Sequence, residues 1–346
     1  MTDHWGANRS PVETSGSPAW IRRRPVPVTS SCPRPDTRHR APSPRRTSVS
    51  SASPAPRSFI GCHALVWTGT FDAAGIRLSV EKTARAGFDL VEFPLMDPFT
   101  FDTAVAAASL AEHGLSASAS LGLSPATDIS SEDPEIVAAG EALLMRAVEI
   151  VGELGGTQLC GVIYSAMKKY MDPVTPKGLD NSITTIGRVA DRAADLGLSL
   201  ALEVVNRYET NILNTGRQAL AYTDRVARPN VAVHLDSYHM NIEESDMYSP
   251  VLDCGDRLGY VHVGESHRGY LGTGNVDFDS YFKALARIGY QGTIVFESFS
   301  SAVVAPDLSR MLGIWRNLWQ DNEELASNAN DFIRGHLTAV KSIDLH

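Results

Sequence analysis

Short apolar runs alternate with longer amphipathic stretches along most of the chain, beginning at Phe59. The short runs are rich in aliphatic and β-branched residues with few polar interruptions, which is typical of parallel strands covered on both faces. They predict eight strands, at 59–67, 88–95, 115–123, 157–164, 198–206, 231–236, 258–265 and 293–298. The stretches between them have the length and the apolar spacing of helices.

The predicted helices carry boundary signals of their own. Asp133–Pro134 and Asp279–Ser280 have the composition of helix starts, since an aspartate side chain accepts hydrogen bonds from the free N–H groups of a first turn. Glycine, which often follows the last residue of a helix, stands after several of the stretches, at Gly87, Gly114, Gly155, Gly197 and Gly289.

Eight strand–helix units in about 250 residues predict an α/β fold, the (β/α)8 TIM barrel, with additional C-terminal helices. A doubly wound sheet is the alternative. That fold usually has a Gly-rich phosphate-binding turn after its first strand, whereas here the first strand continues into HALVWTGTFD. We therefore expect residues 58–346 to form one catalytic barrel domain.

Residues 1–57 have a different composition. They contain ten of the 19 prolines, and ten arginines against three acidic residues, but almost no aliphatic side chains. Such a segment cannot bury enough apolar surface to fold, so it is predicted to be a disordered Pro/Ser/Arg-rich extension. It also lacks the continuous apolar stretch of a secretory signal peptide.

The charge of the chain is unevenly distributed. The net charge is −9, and because the first 57 residues contribute about +7, the remainder carries about −16, a poor surface for attracting phosphates. No apolar run reaches the length of a membrane span, and the four cysteines are widely spaced without a CxxC pair, which is typical of reduced thiols. We expect a cytoplasmic protein that binds neither nucleic acid nor membrane.

Each of the last four predicted strands contains a charged or titratable residue near its C-terminal end. These residues are Glu203, Asp236, His262 and Glu297. They are about one strand–helix unit apart, so consecutive barrel strands would bring them together at the C-terminal mouth, where barrel enzymes have their active sites. Burying one carboxylate without a partner is costly, and three together would repel one another strongly.

A divalent cation would remove that repulsion. Oxygen donors with one imidazole indicate a hard ion, with Mn²⁺ as the first expectation and Mg²⁺ or Co²⁺ as alternatives. One such ion per subunit, held by Glu203, Asp236, His262 and Glu297, is the predicted cofactor.

Around these residues the sequence resembles the D-tagatose 3-epimerase family, which includes D-allulose (D-psicose) and L-ribulose 3-epimerases and belongs to the xylose isomerase-like TIM barrels. The resembling segments are LEVVNRYETNILNT (202–215), HLDSYHMNIEE (234–244), YVHVGESHRGYLGTG (260–274) and VFESF (295–299). The resemblance runs from about Ile60 to the C-terminus and leaves residues 1–57 outside it. Ser237 stands where relatives often have threonine.

The resemblance implies an enzyme that interconverts C3 epimers of free ketoses through a cis-enediolate. The same four residues would hold the metal, and Glu203 and Glu297 would act as the acid/base pair on opposite faces of the sugar. It also implies substrate contacts at Glu209, His239 and Arg268. A homodimer or homotetramer is expected on the same grounds.

Other residues near strand ends are weaker candidates. Trp67 and Phe299 are predicted to contact the sugar, although each is as readily explained as a core residue. Glu92 interrupts the apolar pattern of the second strand, which indicates a supporting or substrate role. His63 and Cys62 are expected to pack, and His234 to stand behind the metal ligands.

The C-terminal stretch predicts one or two amphipathic helices. Leu312, Trp315, Leu318 and Trp319 would share one face of such a helix, suited to packing on the barrel or to a subunit interface.

Several other functions are alternatives to the epimerase interpretation. An aldose–ketose isomerase would use the same barrel and metal. A DNA repair endonuclease would need more histidine ligands and a basic groove, and a non-catalytic sugar-binding protein would not need both proton-transfer glutamates. A phosphorylated substrate remains an alternative, since GYLGTGN (269–275) follows the seventh strand, a common phosphate-binding position in barrels.

Overall fold

A computed structural model describes residues 58–343. Its core is a closed barrel of eight parallel strands in which every strand pairs with the next along the chain and the eighth pairs with the first. The predicted TIM barrel is therefore confirmed. The strands are β1 Ile60–His63, β2 Leu90–Pro94, β3 Ser116–Ser120, β4 Gln158–Gly161, β5 Ser199–Val204, β6 Val231–Asp236, β7 Leu258–Val263 and β8 Thr293–Phe296.

Ten α-helices within the described range surround or cover this barrel. They are α1 Ala73–Arg85, α2 Thr103–His113, α3 Pro134–Glu153, α4 Pro176–Asp195, α5 Gly216–Val226, α6 Ser237–Glu243, α7 Ser249–Cys254, α8 Phe278–Arg287, α9 Pro306–Met311 and α10 Asn322–Ile343. Short 3₁₀ turns lie at Ala64–Val66, Pro125–Thr127 and Gly255–Arg257. None of the helices within residues 58–343 has both the length and the apolarity needed to cross a membrane.

A layer of buried side chains fills the barrel interior below its C-terminal mouth. The layer consists of Leu90, Cys160, Ala201, Tyr260 and Val295. Gly61 of β1 lies against it, because a Cβ there would be 2.6 Å from Leu90 Cδ2 and 3.0 Å from Val295 Cγ2. The barrel is thus a packed core with a closed floor, as is usual for this architecture.

Some predicted boundaries need correction. The first strand ends at His63, where the 3₁₀ turn begins. Asp133 caps α3 as predicted, but α8 is capped by Asp277 rather than Asp279, since Asp277 Oδ1 accepts from the Ser280 N–H.

The predicted helical stripe near the C-terminus is also wrong. Leu312 follows the end of α9, and the chain remains non-helical until α10 begins at Asn322. Trp315 and Trp319 consequently do not share a face, since Trp315 is 74% exposed whereas Trp319 is buried. The two additional C-terminal helices lie on either side of this segment. The predicted disordered extension, 1–57, lies outside the described residues.

Candidate active site

The charged residues of the predicted site stand directly above the floor of the barrel. Alternate residues of a strand point to the same face, and in four strands the residue two positions after a floor residue is titratable. The pairs are Leu90 and Glu92, Ala201 and Glu203, Tyr260 and His262, and Val295 and Glu297. A fold that buries the floor residues therefore also brings these groups together at the C-terminal mouth.

The structure brings together the four residues predicted to hold a metal. One donor atom from each of Glu203, Asp236, His262 and Glu297 lies within 4.8 Å of all the others, and all four residues are buried. His262 Nδ1 is 3.5 Å from Glu203 Oε1, 3.5 Å from Glu297 Oε1 and 4.0 Å from Asp236 Oδ2.

This cluster fits a divalent cation. Nδ1 of His262 is buried and has no hydrogen-bond partner among the residues that the structure describes. A buried nitrogen of that kind is costly unless it binds something, and it faces two carboxylates. Three carboxylates with one imidazole are donors suited to Mn²⁺, Mg²⁺ or Co²⁺.

The two glutamates of the cluster have oppositely shifted pKa values. Burial raises the pKa of Glu203 to about 8, with the charges of Glu297 and Asp236 acting in the same direction and His262 against it. Burial would also raise the pKa of Glu297, but the charges of Arg268 and His262 outweigh it and hold that pKa below its usual value. The two carboxyl groups therefore have different electrostatic surroundings, since the Arg268 charge lowers the pKa of Glu297.

Arg268 reaches the cluster from the loop between β7 and α8. Its Nη1 lies 2.5 Å from Glu297 Oε2 and 3.1 Å from Asp236 Oδ2. The guanidinium carbon lies 3.8 Å from the ring centroid of Tyr238 and 5.0 Å from that of Phe299. Arg268 has a left-handed backbone, with φ of +61°, which costs a non-glycine residue free energy and is found most often where function requires it.

The loop that carries Arg268 is held by a buried carboxylate. Glu265 accepts hydrogen bonds from the backbone N–H groups of Ser266, Gly272 and Val276. The Gly272 amide is thus already occupied and a negative charge lies beside it. This arrangement disfavours the phosphate-binding interpretation of residues 269–275, which would need free amides and a positive potential.

His239 presents one ring nitrogen to the cluster. Its Nδ1 accepts from the backbone N–H of Asn206 at 3.1 Å and lies 2.9 Å from Asn206 Nδ2. In the neutral ring the proton therefore sits on Nε2, which lies 3.8 Å from Glu203 Oε1 and 3.7 Å from Asp236 Oδ2. Burial lowers the pKa of His239 to about 3, so it is available as an uncharged hydrogen-bond donor.

Glu209 is tied to the same asparagine. Asn206 Nδ2 donates to Glu209 Oε1 at 2.7 Å. Burial raises the pKa of Glu209, against the lowering effect of the Arg268 charge. Glu209, His239 and Arg268, the three substrate contacts implied by the resemblance, all line one cavity together with three residues of the metal cluster, Glu203, His262 and Glu297.

That cavity, which is open at the barrel mouth, also has an apolar wall. Phe299 lies in it as predicted, and His63 is a further lining residue. The apolar contributions come mainly from segments that follow the strands, including helix α9. Among them are Leu65, Met96, Leu121, Met167, Leu308 and Leu312.

Trp67, in contrast, is not brought to this cavity. The 3₁₀ turn after β1 carries its ring into the core, where Nε1 donates to Thr83 Oγ1 at 2.8 Å. Thr83 belongs to α1, so the indole fastens that helix to the barrel. The prediction of a sugar contact at Trp67 is corrected accordingly.

Comparison with known proteins agrees with this geometry. Residues 80–334 match the family described as "Xylose isomerase-like TIM barrel". A ketose 3-epimerase from Arthrobacter globiformis is 72% identical over 287 residues, which cover 83% of this chain and 99% of the relative. The chain belongs to the ketose 3-epimerase family.

Two further members of the family support the assignment. An L-ribulose 3-epimerase from Methylomonas sp. (strain DH-1) is 56% identical, over 79% of this chain and 96% of the relative. The crystal structure of a D-allulose 3-epimerase from Methylomonas sp. in complex with D-allulose has a TM-score of 0.80 and 55% identity, covering 81% of this chain and 98% of that one.

Two residues of the candidate active site were not predicted from the sequence of this ketose 3-epimerase family member. Asn206, which positions His239 and Glu209, ends the fifth apolar run, where a polar residue draws little notice. Tyr238, which stacks on Arg268, lies inside the quoted segment HLDSYHMNIEE, yet its aromatic side chain was not singled out.

Proposed function

We propose that the protein interconverts the C3 epimers of free ketoses, with D-fructose/D-allulose, D-tagatose/D-sorbose and L-ribulose/L-xylulose as the substrate pairs to test. The similar proteins named as ketose, L-ribulose and D-allulose 3-epimerases support this activity. The observation that carries the proposal is the presence of two cavity-lining carboxyl groups, Glu203 and Glu297, that belong to one candidate metal-binding cluster but come from different strands.

Epimerisation at C3 requires a base on one face of the sugar and an acid on the other. Glu203 is on β5 and Glu297 directly follows β8, so the two carboxyl groups approach the cluster from strands that are not neighbours. One takes the C3 proton and the other returns a proton to the opposite face, with the roles exchanged in the reverse reaction. The strand positions keep both groups fixed relative to the substrate.

Three further side chains orient the sugar. His239 offers the Nε2–H and Arg268 its guanidinium as donors to sugar oxygens, and Glu209 accepts from a hydroxyl group. Glu203, Asp236, His262 and Glu297 would hold the metal, with Mn²⁺ as the proposed ion. When bound, this cation polarises the ketose carbonyl and favours the negative charge that develops as the proton leaves.

The apolar wall and the charge of the loop both favour an unphosphorylated sugar. Glu265 occupies the Gly272 amide and places a negative charge beside it, which disfavours a phosphate at residues 269–275. An aldose–ketose isomerase on the same metal barrel is the second candidate, but no relative described above bears that name.

The test is to strip the protein with a chelator, restore Mn²⁺ and supply D-fructose, D-tagatose and L-ribulose in turn. We expect C3 epimers that form only with metal, and a fall in kcat of about 10²- to 10⁴-fold in Glu203→Gln and in Glu297→Gln. Glu141→Gln is the control, since Glu141 pairs with Arg188 on the outer helices. An aldose product without any C3 epimer would contradict the proposal.

A further inference from the structure

We propose that Glu92 is a positioning residue for the metal site: it fixes the tautomer and the orientation of His262, so that Nδ1 of His262 is presented to the cation. This inference rests on the metal site of the proposed function. It does not depend on which sugar is the substrate or on which residues transfer the proton.

The first observation is where Glu92 lies. It belongs to β2, whereas the cluster residues come from β5 to β8 or directly follow β8. Glu92 is fully buried, and it lies two residues after Leu90, which belongs to the floor of the barrel. Glu92 is thus a fourth buried carboxylate beside three others. Its burial costs free energy, which indicates that the side chain has a functional role.

The second observation is the contact between Glu92 and the metal ligand. Oε2 of Glu92 lies 2.9 Å from His262 Nε2. When the carboxylate accepts from the Nε2–H, the ring proton is held on that nitrogen, and Nδ1 keeps a free lone pair. Nδ1 is the atom that faces Glu203 and Glu297 and that lacks any hydrogen-bond partner within residues 58–343.

The third observation is that Glu92 is itself held in place. The hydroxyl of Tyr260 donates to the same Oε2 at 2.7 Å and lies 2.6 Å from Ser118 Oγ. On the other side, Oε1 of Glu92 lies 3.4 Å from His63 Nε2. Tyr260 and His262 of β7 therefore hold Oε2, and His63 of β1 faces Oε1, which has no hydrogen-bond partner within residues 58–343. The barrel strands thus determine the position of this carboxylate independently of any substrate.

Glu92 makes none of the contacts of an ordinary structural ion pair. Its described ion-pair partners are the two histidines, His63 and His262, and no arginine or lysine is among them. Carboxylate partners of metal-bound histidines orient the ring and make it a stronger donor, and their loss typically weakens metal binding about 10- to 100-fold.

Mn²⁺ binding measured by calorimetry on the full-length, metal-free protein, without sugar, tests the inference. We expect Glu92→Gln to weaken Mn²⁺ binding at least 10-fold, because the amide lacks the charge and has no tautomer preference to impose. Tyr260→Phe, which keeps the carboxylate but removes one of its hydrogen bonds, should weaken binding by a smaller factor. Thr83→Val is the control, since it disrupts a buried hydrogen bond to Trp67 away from the cluster.

A spectroscopic readout separates positioning from general destabilisation. The visible absorption of bound Co²⁺ reports the donors around the ion. We expect this spectrum to change in Glu92→Gln and to stay the same in Thr83→Val. The thermal stability of Thr83→Val should fall all the same, because a buried hydrogen bond is lost. Equal Mn²⁺ affinity and an unchanged Co²⁺ spectrum in Glu92→Gln overturn the inference. If that variant does not fold, unchanged Mn²⁺ affinity in Tyr260→Phe overturns it instead. Failure of the unaltered protein to bind Mn²⁺ would instead count against the proposed function.

Discussion

Single residues decide the chemistry of this site, and Asn206 is the least obvious of them. Through its backbone and side-chain nitrogens it fixes Nδ1 of His239, and the same side chain holds Glu209. One buried amide thereby aligns two of the three groups that we propose to bind the sugar.

Asn206→Ala should therefore impair the reaction while the barrel remains folded. Nδ1 of His239 loses one of its two donors and Glu209 loses its donor. Because the sugar would then be placed less precisely, we expect kcat/KM to fall roughly 10-fold. Steady-state kinetics with L-ribulose and D-fructose measure this.

The matched control is Asn230→Ala. Asn230 also makes two side-chain hydrogen bonds, to the backbone carbonyls of Ala190 and Leu198. We expect that variant to lose stability but to retain kcat/KM. Equal activity of Asn206→Ala and the unaltered protein would argue against the role given to Asn206.

Individual residues also show how much of the site could be predicted from the sequence. Glu203, Asp236, His262 and Glu297 were identifiable because each interrupts an apolar strand where a lone charge would be costly. The partnership of Tyr260 with Glu92 was not identifiable, since the two residues are 168 positions apart and a tyrosine in a strand is ordinary. Such a pairing follows from strand order and register, which only the fold supplies.

At the scale of elements, periodicity predicted the eight strands well, because each is short, apolar and separated from the next by a helix. It failed between α9 and α10. The spacing of Leu312, Trp315 and Trp319 is helical, but residues 312–321 are held by tertiary contacts instead. Trp319 Nε1 donates to Ser298 Oγ, and Asn317 Oδ1 accepts from Ser300 and from the Ala302 amide.

One helix end is not optimal for stability. Ala227 follows α5 with φ of +53°, and its N–H donates to Thr223 O at 3.0 Å. A left-handed alanine costs about 1–2 kcal/mol, part of which glycine recovers. We expect Ala227→Gly to raise the free energy of unfolding by about 0.5–1 kcal/mol, measured by denaturant titration.

A glycine inside a helix provides the comparison of opposite sign. Ala84 lies within α1, and Ala84→Gly should lower the free energy of unfolding by roughly 1 kcal/mol. If both substitutions destabilise the protein, the strain assigned to Ala227 is not present in solution.

For the whole molecule, a cation bound at the cluster of Glu203, Asp236, His262 and Glu297 would link folding to cation binding. A ligand that binds only the folded state stabilises it by about 2.7 kcal/mol at a hundred times its Kd. We therefore expect a chelator to lower Tm and Mn²⁺ to restore it, as followed by calorimetric or fluorescence melting. His262→Ala should melt at a temperature that Mn²⁺ does not change, whereas a Mn²⁺-dependent Tm in this variant would place the ion elsewhere.

Exposed apolar side chains bear on assembly. Met96 and Phe99 follow β2, Met311 is the last residue of α9, and Trp315 lies between α9 and α10; all four are more than half exposed. Together with the family resemblance they favour a homodimer or homotetramer. Analytical ultracentrifugation should give two or four times 37.4 kDa, and Trp315→Glu should shift the protein towards smaller species. A single species at the monomer mass would contradict this expectation.

The ligands and the apolar wall come from different parts of the barrel. The four metal-site residues belong to strands β5 to β8 or their ends, while most of the apolar lining follows β1 to β4 or belongs to the α9 region. Mutations that alter sugar preference can therefore accumulate in the apolar lining after β1 to β4 and in α9, apart from the residues that we propose for proton transfer. Directed evolution towards a new ketose would be most efficient if its libraries were confined to Leu65, Met96, Leu121, Met167 and the α9 residues Leu308 and Met311.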